Sequence, residues 1–171
     1  SAHEAFLRAA AYFQTAYSPL YGAPVDLRLV EAFDAASESL AAAATLADHP
    51  VEAIEIPFEG TTLPGYHARV DAHGSPRPTI VHTNGYDSQL AEMYAAHVPA
   101  AIARGYDIVI FDGPGQGRNL VHDDMHLRPD WESVVSPVID HVLTLPGVDA
   151  DRIVLAGWSF GGYLAPRAAA G

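Results

Sequence analysis

Gly157-Trp158-Ser159-Phe160-Gly161 sets a hydroxyl between two glycines in the pattern G-x-S-x-G. An apolar run, Ile153-Val154-Leu155-Ala156, leads into it, and an alanine-rich segment suited to a helix follows. A serine on a tight strand-to-helix turn sits on strained backbone with its Oγ projecting above a sheet, the arrangement from which it can attack a carbonyl carbon. The glycines fit this reading, because strand and helix approach each other closely there. The helix behind Ser159 also directs the positive end of its dipole at the site. The bland alternative is a glycine-rich strand–helix turn carrying an incidental serine.

An attacked carbonyl needs donors for the charge that develops on its oxygen. The backbone N–H of Phe160, next after the serine, is one candidate. The second comes from the 84–87 loop after an earlier strand, with Tyr86 favoured and Gly85 next. Trp158, inside the turn, and Asp112, at the end of a buried strand, are candidates to contact substrate. Asp112 could equally cap its own turn.

Other patterns carry less. Gly113-Pro114-Gly115-Gln116-Gly117 follows a strand, but it has neither the G-x-G-x-x-G spacing nor the Gly-Lys-Ser/Thr of a phosphate loop. His122 and His126 stand four apart among carboxylates and would share a face on a helix. No further ligand set accompanies them, so a solvated acidic loop is the better reading and no metal is expected. His82, near the 84–87 loop, reads as a satisfied buried histidine.

The elements that must position these residues follow from periodicity. Phe6, Leu7, Ala10, Phe13 and Tyr17 form one apolar stripe at helical spacing. A second helix opens at a capping Asp26, runs to about residue 48 and turns Leu29, Val30, Phe33, Leu40 and Ala44 inward. Residues 51–58 and 66–70 alternate and predict an antiparallel pair at a sheet edge, with a turn over 60–65. From Thr79 the pattern becomes strand, loop, helix: strands over 79–83, 107–111 and 152–156, and helices over 88–104, 130–145 and 160–170. The segment 112–129 reads as a long loop. Such alternation implies a mostly parallel sheet with crossover helices. The expected division is 1–50, helical, and 51–171, α/β.

Composition narrows the partners. Nine Lys and Arg stand against 21 Asp and Glu, a formal net charge of −12. Nucleic acid and anionic membrane surfaces are unfavourable partners for such a chain. No apolar run approaches the roughly 18–20 residues that a spanning helix needs. The lack of cysteine excludes disulfides and thiol chemistry and fits a cytoplasmic location.

The stretches IPFEGTTLPGY, FDGPGQG, RPDW and GWSFGGYLAPRAAA, in this order over residues 51–171, resemble the lid-bearing α/β-hydrolases related to 2,6-dihydropseudooxynicotine hydrolase and to the enzymes that shorten fungal pigment polyketides. That resemblance implies an α/β-hydrolase fold with the helical N-terminus as a lid segment, and Phe13 and Tyr17 then become candidates to line the pocket. It implies Ser-Asp/Glu-His hydrolysis without a cofactor, with Ser159 as nucleophile, on a small ketone, polyketide-like or ester substrate, in many relatives at a carbon–carbon bond next to a ketone. In this fold the acid and the histidine follow the serine. Only 12 residues follow Ser159, none of them Asp, Glu or His, and all nine histidines precede it. The expectation is therefore an incomplete sheet and a C-terminal half of the same hydrolase as partner, with homo-oligomers possible. An esterase or peptidase-like hydrolase of the same fold, and a non-catalytic hydrolase kept as a binding module, are the alternatives.

Overall fold

A computed structural model describes all residues, Ser1–Gly171. The chain divides into two compact units, Ser1–Asp48 and His49–Gly171.

In the first unit, α1 (Ala2–Tyr17) opens on a capping box between Ser1 and Glu4, which satisfies two of the free N–H groups of its first turn. Asp26 caps α2 (Leu27–Thr45) by accepting from the Arg28 N–H. The two helices pack on each other, joined by a short 3-10 turn at Ser18–Leu20. Tyr17 is buried, with its ring edge-on to Tyr21 (5.9 Å between centroids) and Phe33 (6.1 Å).

The second unit is a five-stranded sheet in the order β1-β2-β4-β3-β5, comprising β1 (Val51–Phe58), β2 (Thr61–Ala68), β3 (Arg77–Thr83), β4 (Asp107–Phe111) and β5 (Val148–Gly157). β1 and β2 form an antiparallel hairpin at one edge, β2 runs antiparallel to β4, and β3 lies parallel to both β4 and β5. The hairpin turn is tighter than the expected 60–65 turn. Glu59 (φ 42°) and Gly60 (φ 85°) both take left-handed backbone, as a two-residue hairpin loop demands. Gly65 lies inside the strand because a Cβ there would stand 2.6 Å from the Ile110 carbonyl oxygen.

The residues of β4 are all buried, as its unbroken apolar run predicts. On one face of the sheet, Val81, Val109 and Phe111 join Trp131, Val134, Val138 and Leu164 in the main core. The last four come from α5 (Trp131–Val142) and α6 (Gly161–Ala170). On the other face lies α3 (Leu90–Ile102), which packs on β4 and β2. The expected loop over 112–129 contains one short helix, α4 (Gly117–Val121).

This topology fixes where a site can form. From β3 the chain crosses to β4 on one side, and from β4 it passes to β5 on the other side of β3. The helices that follow β3 and β5 lie on opposite faces. A crevice therefore opens at the carboxyl ends of β3 and β5, the place where open α/β sheets bind ligands.

Candidate active site

Two loops meet in that crevice: the 84–87 loop after β3 and the turn from β5 into α6. Ser159 sits at the tip of the second with φ 55°. Left-handed backbone is uncommon outside glycine and costs energy that the surrounding structure must supply. Packing explains why the turn holds. A Cβ on Gly157 would lie 2.0 Å from the Gly161 carbonyl oxygen, and one on Gly161 would lie 2.6 Å from the carbonyl oxygens of Thr83 and Asn84. Strand, turn and helix thus touch through backbone alone, and any side chain at either glycine would force Ser159 out of place. Ser159 itself is exposed.

The 84–87 loop reaches this serine directly. A Cβ on Gly85 would lie 3.1 Å from Ser159 Cβ and 3.5 Å from Ser159 Oγ. The Gly85 N–H donates to the Ser88 hydroxyl at 3.1 Å, which removes Gly85 from the candidate donors. The Tyr86 and Phe160 N–H groups have no backbone acceptor. Their side chains meet edge-on, with ring centroids 6.5 Å apart, and Phe160 stacks on Tyr163 at 5.5 Å.

Asp112 is not a mouth residue. It is 1% exposed, and its carboxylate accepts from Asn84 Nδ2 and from the Leu90 N–H at the start of α3. Burial pushes this carboxyl up to about 7, against the opposing pull of those hydrogen bonds and of Arg118. Asp112 therefore ties the end of β4 to the 84–87 loop and to the start of α3 instead of facing a ligand. Gln116 and Asn119, which sequence reasoning missed, belong to the same buried group. Gln116 Nε2 donates to the carbonyls of Asn84 (3.0 Å) and Gly85 (2.8 Å), and Asn119 Nδ2 donates to those of Asp112 (2.7 Å) and Gly113 (3.2 Å).

Trp158 is 44% exposed and presents its ring edge-on to His97 of α3, 5.1 Å between centroids. His97 in turn stacks on His82 at 4.2 Å. His82 is buried, but its Nδ1 has no hydrogen-bond partner, so it is not the satisfied histidine expected. Burial first, and the neighbouring His97 second, push it down to about 4, which leaves a neutral ring and a weak base. An open groove of about 370 Å³ runs along this α3 face, lined by Ile80, His82, His97, Ala101 and Ala156, with Ser159 outside it. Phe13 and Tyr17 lie in the helical unit, Phe13 at 40% exposure and Tyr17 buried among aromatic rings. His126 faces Asp124 at 3.8 Å on the surface, and no group of three or more His, Asp or Glu side chains is placed to hold a metal ion. No helix is long and apolar enough to cross a membrane.

Comparison with known proteins agrees with this architecture. The alpha/beta hydrolase family profile matches residues 72–171. Hydrolase LUC6 of a Fusarium species is 39% identical over 173 residues, covering 96% of this chain and 41% of that protein. The 20-hydroxy-prefusarin hydrolase FUS2 of Gibberella moniliformis is 38% identical with the same two coverages. The crystal structure of 2,6-dihydroxy-pseudo-oxynicotine hydrolase superposes with a TM-score of 0.87 at 28% identity, over 98% of this chain and 46% of that one. The chain thus spans about two-fifths of the length of the curated relatives it matches.

Proposed function

The chain belongs to the alpha/beta hydrolase family, and from that membership we propose that it carries the nucleophile part of a serine hydrolase in which Ser159 attacks a carbonyl carbon. The observation that carries this reading is the left-handed backbone of Ser159, locked by glycine contacts between β5 and α6. Strain of that kind persists where geometry serves a reaction.

A histidine supplied by a C-terminal portion of the same hydrolase takes the Ser159 hydroxyl proton as Oγ bonds to the carbonyl carbon. The carbonyl oxygen becomes an oxyanion and accepts from the N–H groups of Phe160 and Tyr86, neither of which has a backbone acceptor to give up. Collapse expels the leaving group, an alkoxide from an ester or a ketone-stabilised carbanion from a carbon–carbon bond, and the histidine returns the proton. Water then cleaves the acyl-enzyme. No cofactor enters these steps. The C-terminal portion is proposed to pair beside β5, which ends the strand order here and leaves Val154 49% exposed; an unpaired apolar edge is otherwise a site of aggregation. The proposed substrate is a small ketone, polyketide-like or ester compound, in keeping with relatives named as hydrolases of 20-hydroxy-prefusarin and of 2,6-dihydroxy-pseudo-oxynicotine.

Replacing Ser159 by Ala in the full-length hydrolase tests the reading. Turnover of a p-nitrophenyl ester should be abolished while the melting temperature stays within a few degrees of the parent. Unchanged turnover would contradict the assignment.

A further inference from the structure

The turn Asp112-Gly113-Pro114-Gly115-Gln116-Gly117 is spelled out by the sequence yet has no part in the steps above. Its centre is Gln116, buried and fully used: Oε1 accepts the Gly113 N–H at 2.8 Å, and Nε2 donates to both the Asn84 and Gly85 carbonyls. A side-chain amide offers two N–H groups, so each carbonyl receives its own hydrogen.

Those two bonds orient the neighbouring peptides. In a trans peptide the C=O and the following N–H point in opposite directions across one plane. Turning the Asn84 carbonyl toward Gln116 turns the Gly85 N–H away from it, and that N–H meets Ser88 Oγ. Turning the Gly85 carbonyl toward Gln116 likewise turns the Tyr86 N–H away. This second N–H has no backbone acceptor, and it belongs to the loop whose Gly85 backs onto Ser159.

The rest of the turn holds the clamp still. Gly117 (φ 45°) must lack a side chain, because a Cβ there would lie 1.9 Å from Asp112 Oδ2. Gly115 (φ 81°) passes so near Leu127 that a Cβ would lie 2.4 Å from the Leu127 nitrogen. Asn119 ties down the carbonyls of Asp112 and Gly113.

We infer that Gln116 is a positioning residue for oxyanion stabilisation: its amide fixes the Asn84–Gly85–Tyr86 peptides so that the Tyr86 N–H faces the carbonyl attacked by Ser159. The inference rests on the proposed function, and the experiment separates the two. In the full-length hydrolase, Gln116→Glu puts a carboxylate against two carbonyls and removes both donors, while Gln116→Met keeps the length without any donor. Tyr86→Pro deletes the N–H itself at an exposed position and does not depend on how Gln116 variants fold.

With p-nitrophenyl butyrate as the probe ester, kcat of each folded variant should fall about 100-fold. KM should stay within about threefold, because the oxyanion contact is made only in the transition state. Affinity for phenylboronic acid, which forms a tetrahedral adduct on an active serine, should fall in step with kcat. A folded Gln116 variant with parental kcat overturns the inference, as does Tyr86→Pro with parental kcat, or a loss seen only in KM. Ser159→Ala serves as the control. If it is inactive while the Gln116 variants turn over normally, only the Gln116 role fails; if Ser159→Ala itself retains turnover, the nucleophile reading fails and this role goes with it.

Discussion

Gly157 and Gly161 approach so closely that a Cβ on the first would overlap the carbonyl oxygen of the second, at 2.0 Å. The contact is backbone to backbone, so no side chain can move aside to relieve it. Gly157→Ala should therefore destabilise the fold by about 3 kcal/mol, at the upper end of overpacking costs, and displace Ser159. Urea denaturation together with ester turnover checks both effects. A variant with parental stability and turnover would show that the turn is more pliable than its geometry implies.

The indole Nε1–H of Trp131 donates to Thr83 Oγ1 at 3.0 Å within the core. Thr83→Val keeps the shape and leaves that N–H buried and unpaired, so it should cost about 1–3 kcal/mol. Trp131→Phe removes the N–H and part of the ring volume together. In the double variant the valine should cost less than it does alone, because no unpaired donor remains. Chemical denaturation of the two single variants and the double variant measures the coupling.

Asp112 gives a pH signature. Burial raises its carboxyl to about 7 from an ordinary 3.8. A raised folded-state value means that the folded chain binds this proton more tightly than the unfolded chain. The contribution to stability is then fully present below about 4 and is lost as the pH rises through about 7. Asp112→Asn removes the titration. The stability of the parent relative to this variant should fall between pH 4 and pH 7 and level off above it, as read from denaturation midpoints across that range. A difference independent of pH would contradict the raised value.

Tyr17 is packed against Tyr21 and Phe33 inside the helical unit. Tyr17→Ala should accordingly act through stability, costing about 3 kcal/mol. Its melting temperature is the decisive readout; unchanged melting with altered substrate preference would return Tyr17 to the pocket-lining role that the apolar stripe suggests.

The backbone of the serine turn is legible in the sequence because two glycines and an apolar run leave few other conformations at Ser159. The strand–helix alternation from Thr79 onward is legible for the same local reason. What the sequence hides is long-range. Gln116 bonds to carbonyls about thirty residues away, and a side chain reaching a distant backbone oxygen imposes no periodicity. That is why the glycine-rich turn reads only as a turn, and why Asp112 reads equally as a mouth residue and as a cap of its own turn. The choice between Gly85 and Tyr86 turns on a single bond from Gly85 to Ser88, which composition cannot reveal. Tyr17 lies on a stripe that serves helix packing and pocket lining equally well until its partners are known.

As the proposed nucleophile, Ser159 forms a covalent intermediate with its substrate. The most direct measurement is peptide mapping by mass spectrometry after the full-length hydrolase reacts with a fluorophosphonate, scored alongside residual ester turnover. A single adduct on Ser159, rising as turnover falls and absent from Ser159→Ala, is the predicted result. Turnover that disappears with no adduct on Ser159, or with the label on another residue, would contradict it.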